Sequence, residues 1–163
     1  MTQTRILLAG ALITLLFINA LIINKEIDLA NSIEVKIPLA PVDPRSLMQG
    51  DYMRLHYKID RSIVGEHKEG QLIVTLDSDG FAKKFELYNN EILENNQHLL
   101  NFSAKKYRDL HIASESFLFE EDRGDYYAKA THAILNLTPS GTTLLKDLYV
   151  PLKHIKKEAL KDN

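Results

Sequence analysis

The sequence predicts a mainly β protein: a single N-terminal transmembrane helix followed by a compact antiparallel β-barrel or β-sandwich domain. Three observations carry this. Residues 6–23 are apolar apart from Gly10, Thr14 and Asn19. From Ile33 onward the apolar residues recur every second position, the period of a strand with one face in a core. Short alternating runs are then separated by clusters of Gly, Pro, Asp and Ser, the turn residues of all-β folds.

The first element spans 1–23. At ~1.5 Å per residue the apolar run makes a helix roughly 27 Å long, which suits a hydrocarbon core of about 30 Å. It exceeds the apolar core of a typical signal peptide, and no Ala-x-Ala cleavage site follows it. A retained signal anchor in membrane lipid is therefore expected. Arg5 precedes the helix, while Lys25 beyond it is accompanied by Glu26 and Asp28. With roughly 140 residues following the run, the expected topology places the N-terminus in the cytoplasm and the domain outside the cytoplasmic membrane. Residues 24–32 read as a linker or a continuation of the helix.

The β-rich domain is expected over 33–151. Ile33, Val35, Ile37 and Leu39 share one face of the first strand, which Pro38 and Pro41 bring to a stop. Met53, Leu55, Tyr57 and Ile59 alternate with Tyr52, Arg54, His56 and Lys58 in the next. Residues 71–76 and 81–88 flank Asp77-Ser78-Asp79-Gly80, a hairpin connection. Residues 98–103 and 110–114 form a second pair around a basic segment. Residues 116–121 make an aromatic strand with Phe117 and Phe119 turned to the core, and 126–130 a helical turn. Residues 133–137 and 142–150 flank Thr138-Pro139-Ser140-Gly141, a third hairpin. The basic tail 152–163 reads as a solvated terminus.

Gly50-Asp51-Tyr52-x-x-Leu55-x-Tyr57, preceded by Pro41-Val42-Asp43-Pro44-Arg45, resembles the signature of the GDYXXLXY-domain family, a group of membrane-anchored bacterial proteins. Ala113-Ser114-Glu115-Ser116-Phe117-Leu118-Phe119-Glu120-Glu121 is similar to its second common block, as are Tyr126, Ala128, Ala130 and the Gly141 hairpin. The family pattern places Gly directly after the acidic residue, whereas here Glu121-Asp122-Arg123 precede Gly124. The resemblance implies an anchored, extracytoplasmic β domain that accompanies an integral membrane protein of the cell envelope. It implies no reaction.

Composition narrows the chemistry. The chain has no cysteine, which excludes disulfides, thiolate metal sites and thiol catalysis. A net charge of −2 from 20 basic and 22 acidic residues gives no field for nucleic acid. The six histidines show no metal-ligand spacing, so no metal and no cofactor are expected. Ser46 has no base placed by a second motif, so no catalytic residue is assigned.

Two readings of the motif remain. As scaffold, Asp43 caps the segment that Pro44 begins, Gly50 turns the chain, and Leu55 and Tyr57 fill the core. As surface, Asp43, Pro44, Arg45, Gly50, Asp51, Tyr52, Arg54, Leu55 and Tyr57 form a docking or ligand lip. Glu115, Glu120 and Glu121 read first as solvated acidic residues at a strand end, and alternatively as a weak site for a cation or for acid–base work. The expected function is a non-enzymatic interaction module acting with an integral membrane protein. The alternative is an envelope hydrolase, or a binder of glycans or anionic ligands, using Asp51, Arg45 and Glu120–Glu121. A homo-oligomer through an exposed strand at 33–39 is a further expectation.

Overall fold

The computed structural model describes residues 2–40, 52–104, 110–120 and 123–151. The chain divides into an N-terminal helical unit ending at Ser32 and a β unit beginning at Ile33.

Helix α1 (Thr2–Ala30) runs unbroken because its sequence is rich in Leu, Ile and Ala and lacks proline. The polar segment beyond Ile23 continues the same helix. Its last carbonyls are taken up locally: Asn31 Nδ2 donates to Ile27 O at 2.9 Å and Ser32 Oγ to Leu29 O at 2.6 Å. Large apolar side chains are exposed on all its faces, with none of the stripe a soluble surface helix shows. Among the described residues it is the one helix long and apolar enough to cross a membrane.

The β unit holds nine strands among the described residues. They are β1 (Ile33–Pro38), β2 (Tyr52–Arg54), β3 (Glu69–Leu76), β4 (Ala82–Leu87), β5 (Gln97–Ala104), β6 (Leu110–His111), β7 (Ser116–Leu118), β8 (His132–Leu137) and β9 (Thr143–Tyr149). A short helix, α2 (Gly124–Tyr127), sits between β7 and β8. All strand pairs are antiparallel, in a three-stranded sheet β1-β8-β9, a four-stranded sheet β4-β3-β5-β6 and a ribbon β2-β7. The expected mainly β architecture is present, and its sheets include a curled half-barrel.

The alternation read from the sequence builds the core. Val35 and Ile37 of β1, Leu72 and Val74 of β3, Leu100 and Phe102 of β5, and Ala133, Leu135 and Leu137 of β8 all face inward and are buried. Backbone hydrogen bonds to two turns help join the sheets. Lys36 N donates to Gly80 O at 2.8 Å, and Asn101 N donates to Gly141 O at 2.8 Å. The first hairpin turn is fixed by Asp77, whose Oδ1 accepts from Asp79 N (3.0 Å) and Phe81 N (2.8 Å) while Lys83 Nζ lies 2.9 Å from Oδ2. The Lys83 ammonium, with these amides, holds the Asp77 carboxyl below its ordinary range.

Four expectations need adjustment. The strand starting at Tyr52 keeps its alternation to Ile59, but its regular pairing stops at Arg54 because the chain changes partner. The strands expected at 110–114 and 116–121 shorten to β6 and β7, the latter ending where Phe119 packs against Tyr127. The helical turn starts earlier, at Gly124. Finally, β1 is an edge strand, as expected, but its outer side is partly covered. Beyond β8 on one side, its other side is taken by Gly80 and by residues 56–58. β9 is the sheet's other border, and a register shift opposite Ile134/Leu135 with Lys146 and Asp147 beside it breaks that edge as a template for pairing.

Candidate functional site

The structure joins the signature to the second block. β2 and β7 pair with Tyr52 opposite Leu118, Met53 opposite Phe117 and Arg54 opposite Ser116. Leu55 N donates to Glu115 O at 2.8 Å and extends the ladder by one rung. Met53 and Phe117 point inward, Met53 at 1% exposure. Hydrogen-bonded and non-bonded pairs alternate along an antiparallel ladder. Since Leu55 and Glu115 are a bonded pair, Tyr52 and Leu118 are a non-bonded one, the type in which side chains approach most closely.

Past Leu55 the strand leaves β7 and turns onto the end of β1. Ala40 N donates to His56 O at 2.7 Å, and Lys58 N donates to Pro38 O at 2.8 Å. The signature is thus a corner strand, which explains why Leu55 is buried while Tyr57 is only half-buried. Tyr57 closes the corner: its hydroxyl donates to Ser114 O at 2.6 Å, and Ser114 Oγ donates to Ser116 O at 2.8 Å. Burial raises the Tyr57 phenol above its ordinary pKa, because the phenolate would lose its hydration there.

Two depressions flank the ribbon. A hollow of about 170 Å³ lies between residues 54–59 on one wall and Leu110 and Glu115 on the other. Beside it His111 Nδ1 contacts the Glu115 carboxylate, while His111 Nε2 is buried with no partner among the described residues. The second depression, about 440 Å³ and open to solvent, is lined by Leu118, Phe119, Glu120, Arg123 and Tyr127. Its floor is an aromatic cluster, with Phe117 4.9 Å and Phe119 5.6 Å from Tyr127 between ring centres. Phe117 and Phe119 pack against the core from here, as their alternation predicts.

The exposed face of the ribbon is its least expected feature. Tyr52 is 49% and Leu118 75% exposed, so an apolar pair stands on the polar side of the alternation. Of the acidic residues, Glu115 engages His111, and Glu120 lies 3.5 Å from Arg123 Nε. Each carboxylate therefore has its own cationic or imidazole neighbour. Among the described residues no three His, Asp or Glu side chains gather to hold a metal. The remaining expected site residues, Asp43, Pro44, Arg45, Gly50, Asp51 and Glu121, lie outside the described residues. Sequence reasoning missed Leu118, Tyr127 and His111. Leu118 carried a signal, since an apolar residue between two inward phenylalanines must face out.

Residues 14–148 match the GDYXXLXY protein family over most of the chain. The chain belongs to the GDYXXLXY protein family. The match begins inside α1 and ends in β9, so the family's common part takes in the second half of the apolar helix and nearly all of the β unit. No curated protein and no solved structure matches the chain.

Proposed function

We propose that this chain is a non-enzymatic, membrane-anchored accessory module of the bacterial cell envelope. Helix α1 is retained as a signal anchor in the cytoplasmic membrane. The β unit acts on the periplasmic or extracytoplasmic side, where it docks on an integral membrane protein. The observation that carries this reading is the Tyr52–Leu118 pair, left exposed on the ribbon that joins the signature strand to β7. Full burial of a side chain such as Leu contributes about 1.5–3 kcal/mol, and aromatic and aliphatic anchors of this kind dominate many interfaces. The anchor supports a membrane partner: only Asn31 and Ser32 separate α1 from β1, so the module is tethered by a very short segment.

The test is in-cell crosslinking and affinity capture of the full-length protein. Wild type should retain one integral membrane protein, and a Tyr52→Ser/Leu118→Ser variant with unchanged circular dichroism should lose it. Undiminished capture by the folded variant would overturn the docking surface.

The hollow between Arg54 and Glu115 favours a second reading, in which the same ribbon binds an anionic ligand or glycan there. Loss of ligand binding in Arg54→Ala, with capture of the membrane protein intact, would select it.

A further inference from the structure

Helix α1 carries a hydrogen-bonding group that the docking reading leaves unused. Within its apolar run Thr14 is satisfied, since its hydroxyl donates to Gly10 O at 3.0 Å. Asn19 is not. One N–H of its amide donates to Leu15 O at 2.8 Å, and its second N–H and its Oδ1 have no partner among the described residues. In hydrocarbon, with no water to replace them, such groups are costly until another chain supplies partners.

The surroundings of Asn19 follow a pattern. Leu8, Leu12, Leu15, Asn19 and Ile22 recur at alternating steps of four and three residues, the seam of a left-handed pair of parallel helices. In that frame Asn19 and Leu12 take the a positions, with Leu8, Leu15 and Ile22 at d. A single Asn at an a position sets register and oligomeric state in coiled coils. The four apolar members are all more than half exposed along the helix.

We propose that α1 pairs with the α1 of a second copy of this chain, parallel and in register, through Leu8, Leu12, Leu15, Asn19 and Ile22. The Asn19 amides hydrogen-bond to each other across the seam. A second copy fits this face for two reasons. A carboxamide is both donor and acceptor and so complements itself. Copies of one chain also insert in the same direction, which brings equal depths together, whereas a foreign helix must offer a polar group at the matching depth.

The absence of cysteine makes the test direct. Full-length protein carrying one introduced cysteine is placed in lipid vesicles at high dilution and oxidised. Leu12→Cys and Leu15→Cys should give disulfide-linked dimers, while Phe17→Cys and Leu21→Cys, on the opposite side of the helix, should stay monomeric. Adding Asn19→Leu to the Leu15→Cys chain should weaken dimerisation about 3- to 20-fold, the range that interhelical hydrogen bonds support. Asn19→Gln should retain it. Uniform crosslinking around the helix, indifference to Asn19→Leu, or crosslinks in native membranes only to a different protein would each overturn the proposal. Because Tyr52→Ser/Leu118→Ser leaves α1 untouched, loss of docking and loss of helix pairing are separately readable.

Discussion

Tyr57 shows how much of the signature one side chain holds together. Its hydroxyl ties the corner strand to Ser114 O, just ahead of β7. Tyr57→Phe removes that bond and should cost about 0.5–1.5 kcal/mol, the net worth of an ordinary hydrogen bond, read as a lowered urea midpoint. The phenol adds a pH signature. Burial raises its folded-state pKa above the unfolded value of about 10. The stability it contributes is therefore complete below pH ~10 and is lost as pH rises beyond it, because only the unfolded chain ionises readily. Wild type should lose stability between about pH 10 and 12 more steeply than Tyr57→Phe, and equal slopes would contradict the burial argument. At this scale the sequence was a good guide to direction: the alternation from Tyr52 to Ile59 matches the observed burial residue by residue. The side-chain partners were not legible, since Ser114 and Glu115 lie far along the chain from Tyr57 and Leu55.

The terminal hairpin illustrates the next scale up. Thr138 N closes the turn by donating to Thr142 O at 2.9 Å, and the turn's Gly141 O accepts from Asn101 N of β5. Gly141 has φ +85, and a Cβ placed on it would stand 2.8 Å from Asn101 Oδ1. Both the conformation and the close approach require glycine. Gly141→Ala should cost about 1–3 kcal/mol and loosen the contact between this hairpin and β5, visible as faster amide exchange at Asn101. Met53→Ala, in the ribbon, removes a buried side chain and should cost about 2–5 kcal/mol. The β3-β4 and β8-β9 hairpins could be read from their turns, and the β5-β6 pair from its alternation, because each pairing is local. The pairings β3-β5, β1-β8 and β2-β7 and the move of residues 56–58 from β7 to β1 could not, because they join distant segments and leave no local periodic mark.

For the β unit as a whole, the seam between its sheets is also where it should feel acid. His132 of β8 packs edge-on against Phe81 at 5.0 Å and Tyr149 at 6.0 Å between ring centres. Lys36 of β1 and Lys83 of β4 reach over Phe81, their Nζ atoms 4.8 and 5.9 Å from its centre. Burial, then the Lys83 and Lys36 charges, lower the His132 pKa, and burial alone lowers that of His98 in β5. A histidine depressed in the folded state takes its proton more readily when unfolded. Its contribution is thus whole above the unfolded value of about 6.5 and is lost as pH falls through it. Protonated His132 would meet two lysines at the Lys36–Gly80 junction of the sheets, whereas burial alone acts on His98 among the described residues. The urea midpoint of the full-length protein in detergent, followed by circular dichroism because the chain has no Trp, should fall between about pH 7.5 and 5. His132→Gln should flatten that fall without abolishing it, since His98 still titrates. An unchanged pH slope in a folded His132→Gln chain would show that the seam is not where acid acts.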